Sequence, residues 1–397
     1  MSTNKIETKL SNASKRLLGQ PMFKILAEVK DLERQGHDIV HFEIGDPDFE
    51  TPAHIKQAAI DSINNDQTHY VPSGGTYRFK EAISDATEKS RGFRPKHEQV
   101  LVCPGANAII QYALEALVNP GEEVILPNPG FPTYYSVLSY CDVKPVEVPL
   151  YEEDNFIMRA SEIEKRITDK TRLIIVNSPQ NPTGGIIPPE EYEKIVELAK
   201  KHDLFILSDE MYSRIVYDED YKFSSPSTYD ECKERTIIIN GFSKVFAMTG
   251  WRLGVAIGPE EVIEKMRLIL ETTVSCVSAF IQDAGIAAIN GDQKPVKKMI
   301  STYNERRDLL CDGLNKIKGI SCIKPRGALY LFANIKELGM TSDECASYLL
   351  QKAKVAVLPG TNFGSQGEGF VRLSFCIATE RMQEGLNRIE KLLGSKA

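Results

Sequence analysis

Residues 99–118, with the sequence QVLVCPGANAIIQYALEALV, contain the pattern that decides the fold. Residues 99–103 form a short apolar run rich in valine, which is typical of a buried strand. From residue 106 to residue 118 the apolar side chains recur every three or four positions, as they do on one face of a helix. Residues 119–121, NPG, end this helix, because proline and glycine interrupt helices. The stretch therefore predicts a strand followed by a helix.

The same order of strand and helix recurs along the chain. A clear helical pattern, for example, occupies residues 189–202. Continuous apolar strands that alternate with helices are typical of a mainly parallel sheet covered on both faces. The sequence therefore predicts an α/β fold. Its further strands are expected at residues 123–126, 143–148, 172–176, 204–207, 236–239 and 253–257.

The pattern changes after residue 257. Helices are expected to dominate residues 259–317, with a break at residues 291–295, and a smaller α+β section is expected from residue 320. No glycine- or serine-rich linker separates the two parts. The sequence therefore predicts a second, smaller domain. Its expected strands are residues 327–333, 355–358 and 370–375, and its expected helices are residues 342–353 and 379–393.

The composition is that of an ordinary globular protein. The chain has 397 residues, of which 42% are hydrophobic and 26% are charged, and its net charge is -7. These values exclude a disordered, collagen-like or coiled-coil protein. A negative net charge provides no surplus of cations to release counterions from a nucleic-acid backbone, so we expect no nucleic-acid partner.

Cysteine usage and hydropathy predict a cellular compartment. The eight cysteines include no C-x-x-C pair, and most lie in apolar runs, so we expect buried free thiols in a reducing compartment. No apolar run approaches the roughly 18–20 residues of a membrane span, and residues 1–18 lack the apolar core of a signal peptide. We therefore expect a cytoplasmic protein that does not span a membrane.

Common short motifs for nucleotide binding, serine hydrolysis and zinc hydrolysis are absent: there is no G-x-G-x-x-G, G-x-x-x-x-G-K-[ST], G-x-S-x-G or H-E-x-x-H. His37 and His41 are four residues apart, but His37 follows a glycine in a predicted turn and His41 lies in a strand-like run. They are therefore not expected to share a helix face, and no metal site is predicted.

Polar residues follow several of the predicted strands, at the edge where open parallel sheets bind ligands. After residues 99–103 come Gly105, Ala106 and Asn107, at the start of the predicted helix. The free N–H groups of a helix start would hold a phosphate at this position. An ordinary helix start is the alternative that the pattern leaves open.

Two further strand ends also have polar residues. Residues 177–185, NSPQNPTGG, follow a predicted strand and contain two prolines, so this loop would hold the side chain of Asn181 still. Asp209 and Tyr212 follow residues 204–207. An unpaired carboxylate at the end of a buried strand is unfavourable, so Asp209 is expected to have a partner. The alternatives are that Asp209 is a helix N-cap and that Tyr212 packs in the core.

A lysine follows the next predicted strand. Ser243 and Lys244 come after residues 236–239, and Arg252 lies eight residues beyond Lys244. A single lysine is usually a solvated surface residue, so no one of these positions is specific. Together they provide a lysine for a Schiff base, an acid for a pyridinium nitrogen, a phenol and an amide for a phenolate oxygen, and an anion cradle. These are the groups that bind pyridoxal 5'-phosphate.

Over nearly its whole length the sequence resembles the class I/II aminotransferases of fold type I, which are similar to aspartate aminotransferase. The resemblance lies in four segments: 45–49 (GDPDF), 181–184 (NPTG), 243–254 (SKVFAMTGWRLG) and 371–373 (VRL). It implies a pyridoxal-phosphate enzyme with a seven-stranded, mostly parallel sheet in a large domain of residues 48–290. Residues 1–47 and 291–397 would form the small domain.

The resemblance implies a role for each residue around the cofactor ring. Lys244 would form the Schiff base and transfer the proton between the substrate α-carbon and the cofactor. Asp209 would keep the ring nitrogen protonated. Asn181 and Tyr212 would hydrogen-bond the phenolate oxygen, and Phe131 would stack on the ring.

The resemblance also implies how anionic groups are bound. The phosphate would be held by N–H groups of Gly105, Ala106 and Asn107 and by the side chains of Ser243 and Arg252. Tyr70 would reach the phosphate of a neighbouring subunit, which implies a homodimer. Arg372 would bind the substrate α-carboxylate, together with Asn181 and the backbone of Gly45. Because residues 371–375 alternate in polarity, a solvent-facing Arg372 is the alternative.

The substrate prediction rests on a departure from the family. Bacterial aspartate aminotransferases that resemble this chain often have lysine at the position of Asn107, where it pairs with a second carboxylate. Met22 and Phe23, in a segment that lies over the substrate in the family, are apolar. We therefore expect a neutral amino donor, apolar or aromatic, and a 2-oxo acid acceptor. Lys24 is one cation that would reach a distal carboxylate if 2-oxoglutarate is used.

Two other functions are compatible with the same residues. A C–S lyase that catalyses β- or γ-elimination would use the same cofactor site. A non-catalytic regulator would bind the cofactor without turnover, but such regulators carry a DNA-binding domain, and too few residues precede Gly45 for a winged helix and a linker. The complete set of catalytic residues also argues against a regulator, whereas an aminotransferase and a lyase are poorly separated by the sequence.

Overall fold

The computed structural model of the chain describes residues 9–19, 22–217, 221 and 224–395, and it describes Phe23 and Lys24 by their backbone only. The strands are β1 Val40–His41, β2 Val100–Cys103, β3 Glu123–Asn128, β4 Lys144–Pro149, β5 Thr171–Asn177, β6 Phe205–Asp209, β7 Thr236–Gly241, β8 Gly254–Ile257, β9 Tyr330–Asn334, β10 Val355–Ala356, β11 Leu358–Pro359 and β12 Phe370–Ser374.

Helices cover much of the rest of the described chain. They are α1 Asn12–Lys15, α2 Met22–Arg34, α3 Ala53–Asn64, α4 Tyr77–Arg91, α5 Ala106–Leu117, α6 Pro132–Tyr140, α7 Ala160–Glu164, α8 Pro189–Lys201, α9 Ser227–Asp230, α10 Glu260–Thr273, α11 Ala279–Asn290, α12 Lys294–Leu314, α13 Ser342–Tyr348 and α14 Thr379–Leu393. No helix in the described ranges combines the length and the apolar character needed to cross a bilayer.

Seven strands form the large sheet, in the order β2-β8-β7-β6-β5-β3-β4. Strand β8 is antiparallel to both of its neighbours, and the other pairs are parallel. The prediction of an α/β fold with a mostly parallel seven-stranded sheet is therefore confirmed. Each predicted strand of this sheet is present, with boundaries within two residues. Four strands, β3, β5, β6 and β7, continue past their last apolar residue to Asn128, Asn177, Asp209 and Gly241, because ladder hydrogen bonds are made by the backbone.

Both faces of the large sheet are buried. Leu101 and Cys103 of β2 belong to one apolar cluster, and Val100 and Val102 belong to another. Successive side chains of a strand point to opposite faces, so each cluster covers one face of the sheet. This two-sided burial is why the strands are continuous apolar runs in the sequence.

The C-terminal part contains an antiparallel sheet in the order β11-β12-β9 and a short parallel pair of β1 with β10. The prediction of one strand over residues 355–358 is wrong. Val357 separates two short strands that belong to different sheets: β10 pairs with β1, whereas β11 pairs with β12. The expected helix over residues 342–353 is likewise divided, because a π-helical turn, Leu349–Ala353, follows α13.

The strand predicted over residues 327–333 begins later than expected. Residues 327–329 precede β9, and Gly327 forms only an isolated bridge with Val216. The pairing of β1 with β10 brings a segment of the N-terminal part of the chain next to a segment of its C-terminal part. The domain division at residues 48–290 stays a prediction.

All eight cysteines are free thiols. Cys141, Cys276 and Cys376 are partly exposed, so the prediction of burial is wrong for these three and right for the other five. Cys141 follows α6, Cys276 follows α10 and Cys376 follows β12, so all three lie outside the regular elements.

Candidate active site

A cavity of about 300 Å³ lies at the carboxyl ends of the parallel strands. It is lined by eleven of the thirteen site residues predicted from the sequence. Gly105 is not a lining residue but lies against the Arg252 guanidinium, which is one. Tyr70 is not among the lining residues either. The eleven are Gly45, Ala106, Asn107, Phe131, Asn181, Asp209, Tyr212, Ser243, Lys244, Arg252 and Arg372.

Asp209 is a buried carboxylate at the end of β6. The hydroxyl of Tyr134 donates to its Oδ2 at 2.6 Å, and the N–H of Met211 donates to its Oδ1 at 3.2 Å. Burial raises the pKa of Asp209 to about 6, although both hydrogen bonds act in the opposite direction. Residues 211–214 form turns, so the alternative that Asp209 caps a helix is wrong. Among the residues that the structure describes, no lysine or arginine forms an ion pair with this carboxylate.

Asn177, which the sequence analysis did not identify, holds this part of the site together. It is the register partner of Asp209 in the pairing of β5 with β6. Its Nδ2 donates to the carbonyl of Asp209 at 3.0 Å, and its Oδ1 accepts the N–H of Asn181 at 3.0 Å. The constrained loop is thus tied to the end of the neighbouring strand, as the prolines and glycines of its sequence suggested.

Lys244 reaches the cavity from the segment that follows β7. Its Nζ donates to the carbonyl of Gly45 at 2.6 Å. Ser243 beside it is buried and also lines the cavity. A primary amine held by one carbonyl retains two further positions for other partners.

The start of α5 forms a concave surface with Arg252. Gly105 has a φ of +89°, and a Cβ there would collide with the Arg252 guanidinium. A Cβ at Gly254 would lie 2.7 Å from the carbonyl carbon of Gly105. The guanidinium itself donates to the carbonyl of Thr249 at 2.9 Å. Two glycines therefore allow a cation to lie against the N-terminus of a helix, and this arrangement fits a phosphate.

One detail of the predicted cradle is wrong. The N–H of Gly105 donates to the carbonyl of Cys103 at 2.8 Å, so it does not point to a ligand. This hydrogen bond closes a three-residue turn centred on Pro104, whose ring restricts φ to values that suit such a turn. The N–H groups without partners inside the helix begin at Ala106 and Asn107.

Arg372 is 1% exposed, so the solvent-facing alternative is wrong. Its Nη1 donates to Oδ1 of Asn181 at 3.0 Å, and its Nη2 donates to the carbonyl of Glu43 at 2.6 Å. Its Nε is buried without a hydrogen-bond partner among the described residues. Burial lowers the pKa of Arg372. A guanidinium with an unpaired donor fits an incoming carboxylate, which accepts two parallel hydrogen bonds.

Tyr212 faces a second tyrosine that the sequence analysis missed. Its hydroxyl lies 2.8 Å from that of Tyr330, which also lines the cavity. Burial raises the pKa of Tyr212 well above its ordinary value, so the phenol keeps its proton. Tyr330 and Tyr134 lie in apolar segments, where a tyrosine resembles an ordinary core residue. Tyr330 reaches the cavity because β9 pairs with β12, the strand that carries Arg372.

The remaining predicted residues occupy different places. The ring of Phe131 meets that of Tyr134 edge to face, with centroids 5.6 Å apart. Met22 and Asn107 line the cavity, as the substrate prediction requires. The side chains of Phe23 and Lys24 lie outside the described residues. Tyr70 is 88% exposed, and its predicted contact with another subunit stays a prediction.

Comparison with known proteins identifies relatives of this chain. The family described as "Aminotransferase class I and II" matches residues 37–389. An aspartate aminotransferase of Pyrococcus abyssi is 40% identical over 378 residues, which cover 94% of this chain and 95% of the relative. Aromatic-amino-acid aminotransferase 2 of Thermococcus litoralis is 41% identical over 370 residues, which cover 92% and 94%.

A solved structure shows the same fold. The crystal structure of an aromatic aminotransferase from Pyrococcus horikoshii superposes with a TM-score of 0.87 at 39% identity. The superposition covers 92% of this chain and 98% of that chain. The similarity therefore extends over the strands that carry the candidate site.

The pKa of Asp209 gives a prediction for the protein without added cofactor. Because the pKa is higher in the folded protein than its ordinary 3.8, protonation stabilises the fold, and this contribution is lost as the pH rises through about 6. Asp209→Asn removes the dependence. We expect the difference in the free energy of unfolding, variant minus wild type, to increase by up to about 3 kcal/mol from pH 4 to pH 8. Thermal unfolding of both proteins across this range measures the difference, and a constant difference would contradict the prediction.

Proposed function

The chain belongs to the class I and II aminotransferases, and on this basis we propose that it transfers the amino group of an L-amino acid to a 2-oxo acid through pyridoxal 5'-phosphate bound at Lys244. Membership of this family favours transamination over elimination and over a non-catalytic regulator. When bound, the cofactor supplies a carbonyl that condenses with amines and a ring that accepts electrons from the α-carbon. The observation that carries the proposal is the meeting of Lys244 and Asp209 in one cavity.

Asp209 would hold a proton on the ring nitrogen. Its carboxylate is buried and has no cationic partner within the described residues, and burial raises its pKa to about 6. A cationic N–H would supply the missing partner and lower the pKa again, because opposite charges stabilise one another. Tyr134 fixes Oδ2, so the carboxylate is oriented before the ring arrives.

Lys244 would act as the acid and base of the reaction. Its Nζ lies 2.6 Å from the carbonyl of Gly45, which holds the amine inside the cavity. With the substrate bound, the Nζ of Lys244 would be free to take the proton from the substrate α-carbon and to return a proton to the bound ligand. One residue would thus bind the cofactor and transfer the proton.

Cationic, amide and hydroxyl groups would position the anionic parts of the ligands. Arg252 and the N–H groups at the start of α5 would hold the phosphate, together with Ser243. Arg372 would bind the α-carboxylate through its unpaired Nε and its remaining Nη protons. Asn181 would hold Arg372 with its Oδ1 and leave its amide N–H groups for the phenolate oxygen.

A homodimer would complete the site. Tyr70 is exposed and lies outside the cavity of its own chain, which agrees with a hydroxyl that serves the phosphate of a second subunit. An exposed tyrosine is amphipathic and is favourable at interfaces.

The donor would have a neutral side chain. The lining of the cavity includes Met22, Ile110 and Phe131, and Asn107 has no charge to pair with a second carboxylate. The relatives are named for aspartate and for aromatic amino acids, so their names leave the donor of this chain open. The lining favours the aromatic and apolar donors.

The cofactor link gives the first prediction of this proposal. Protein saturated with pyridoxal phosphate and reduced with borohydride should carry the label on Lys244, since this amine lies in the cavity with the phosphate cradle. Lys80 is an internal control, because burial lowers its pKa but its amine lies outside the cavity and donates to the carbonyl of His97. Peptide mapping locates the label. Recovery on Lys80, or no bound cofactor, would refute the proposed link.

The donor preference gives the second prediction. We expect kcat/KM for leucine, phenylalanine and methionine to exceed that for aspartate. Among these neutral donors we expect several to react, because an apolar pocket discriminates by only about ten- to two-hundredfold for each methylene. Asn107→Lys should raise kcat/KM for aspartate and leave that for leucine nearly unchanged.

A donor panel with 2-oxoglutarate and pyruvate as acceptors measures these values. If aspartate exceeds every neutral donor by more than about a hundredfold, which is about 2.7 kcal/mol of transition-state preference, a cation reaches its side chain and the interpretation of Asn107 is wrong.

A further inference from the structure

Tyr330 contacts three of the residues that the proposed function uses. It is 3% exposed, and its hydroxyl oxygen lies 2.8 Å from the hydroxyl oxygen of Tyr212. The guanidinium carbon of Arg372 lies 4.3 Å from the centre of its ring. A Cβ at Gly45 would collide with the Tyr330 hydroxyl, so the absence of a side chain at Gly45 makes room for this tyrosine.

The sheet fixes Tyr330 and Arg372 relative to each other. Tyr330 is the first residue of β9 and pairs with Ser374, whereas Arg372 pairs with Phe332. Residues at such diagonal positions lie on the same face of an antiparallel pair, within reach of aromatic and long side chains. The contact between the ring and the guanidinium therefore follows from the register of β9 and β12.

The two hydroxyls have two protons, and one of them bridges the pair. Burial makes Tyr212 hold its own proton more firmly, so Tyr330 serves as the donor of the bridging hydrogen bond. When Tyr330 donates, the proton of Tyr212 is free to point into the cavity. Burial raises the pKa of Tyr212, so this proton is retained.

We propose that Tyr330 is a positioning residue with two separable parts: its ring seats Arg372 for the substrate α-carboxylate, and its hydroxyl directs the proton of Tyr212 toward the phenolate oxygen of the cofactor. This inference rests on the proposed function, because it needs both the cofactor and an α-carboxylate. Chains of hydrogen bonds strengthen one another, so Tyr212 becomes a stronger donor than it would be alone.

Two substitutions separate the two parts. Tyr330→Phe removes the hydroxyl and keeps the ring under Arg372. Tyr330→Leu removes both, and Tyr330→Met provides a second apolar side chain without a ring if the leucine variant does not fold. Tyr217→Phe is the matched control, because it removes a hydroxyl that donates to the carbonyl of Ala328 at 2.7 Å outside the cavity.

The experiment uses protein saturated with pyridoxal phosphate. Its readouts are the pH midpoint of the absorbance change of the bound cofactor and the steady-state constants for leucine. A hydrogen bond to the phenolate oxygen favours the form of the cofactor that has lost its proton, so a weaker donor raises the midpoint. We expect Tyr330→Phe to raise it by about 0.5 pH unit, which is about threefold in the ionisation constant, with KM within about twofold of wild type.

For Tyr330→Leu we expect the same shift of the midpoint and a KM about tenfold higher, because the contact of the cation with the ring is lost. Tyr217→Phe should match wild type in both readouts. An unchanged midpoint in Tyr330→Phe would overturn the role of the hydroxyl, and an unchanged KM in Tyr330→Leu would overturn the role of the ring. If wild-type protein binds no cofactor or transfers no amino group, the proposed function itself fails.

Discussion

The buried carboxylate of Asp209 is the constraint on which the rest of the site depends. A desolvated carboxylate without a cation is unfavourable, and burial raises its pKa to about 6 although Tyr134 and the N–H of Met211 both donate to it. The large sheet keeps this residue in place, because β6 lies between β5 and β7. Neutralisation by a protein cation would remove the need for a ligand. No cation pairs with Asp209 in the described part of the chain, and a cationic ring would supply that charge.

The sequence predicted the large sheet and most of the candidate site for one physical reason. Strands buried on both faces are continuous apolar runs, so the first polar residue after each run marks the edge where ligands bind. Asn181, Asp209 and Lys244 were found in this way, and the structure brings them to one cavity. The roles of these residues came from the resemblance to a family, since a strand end alone does not distinguish a catalytic group from a cap.

Other features depend on contacts between segments that are distant in the chain. Tyr330 lies in an apolar run and lines the cavity only because β9 pairs with β12. Tyr134 lies on a helix, and its bond to Asp209 joins residues 75 positions apart. The division of residues 355–358 between two sheets has no local signal, because both halves are apolar. Local pattern therefore predicted the elements, whereas tertiary pairing decided which tyrosines face the cavity.

The turnover of Asp209→Asn tests the central claim most directly. The substitution keeps the shape of the side chain and removes its charge, so the ring nitrogen would lose its proton and the electrons of the α-carbon would be poorly accepted. With both proteins saturated with pyridoxal phosphate and supplied with leucine and 2-oxoglutarate, the account predicts a kcat at least ~10²-fold below wild type while the cofactor still binds. A kcat close to that of wild type would contradict it and would leave Asp209 with a structural role only.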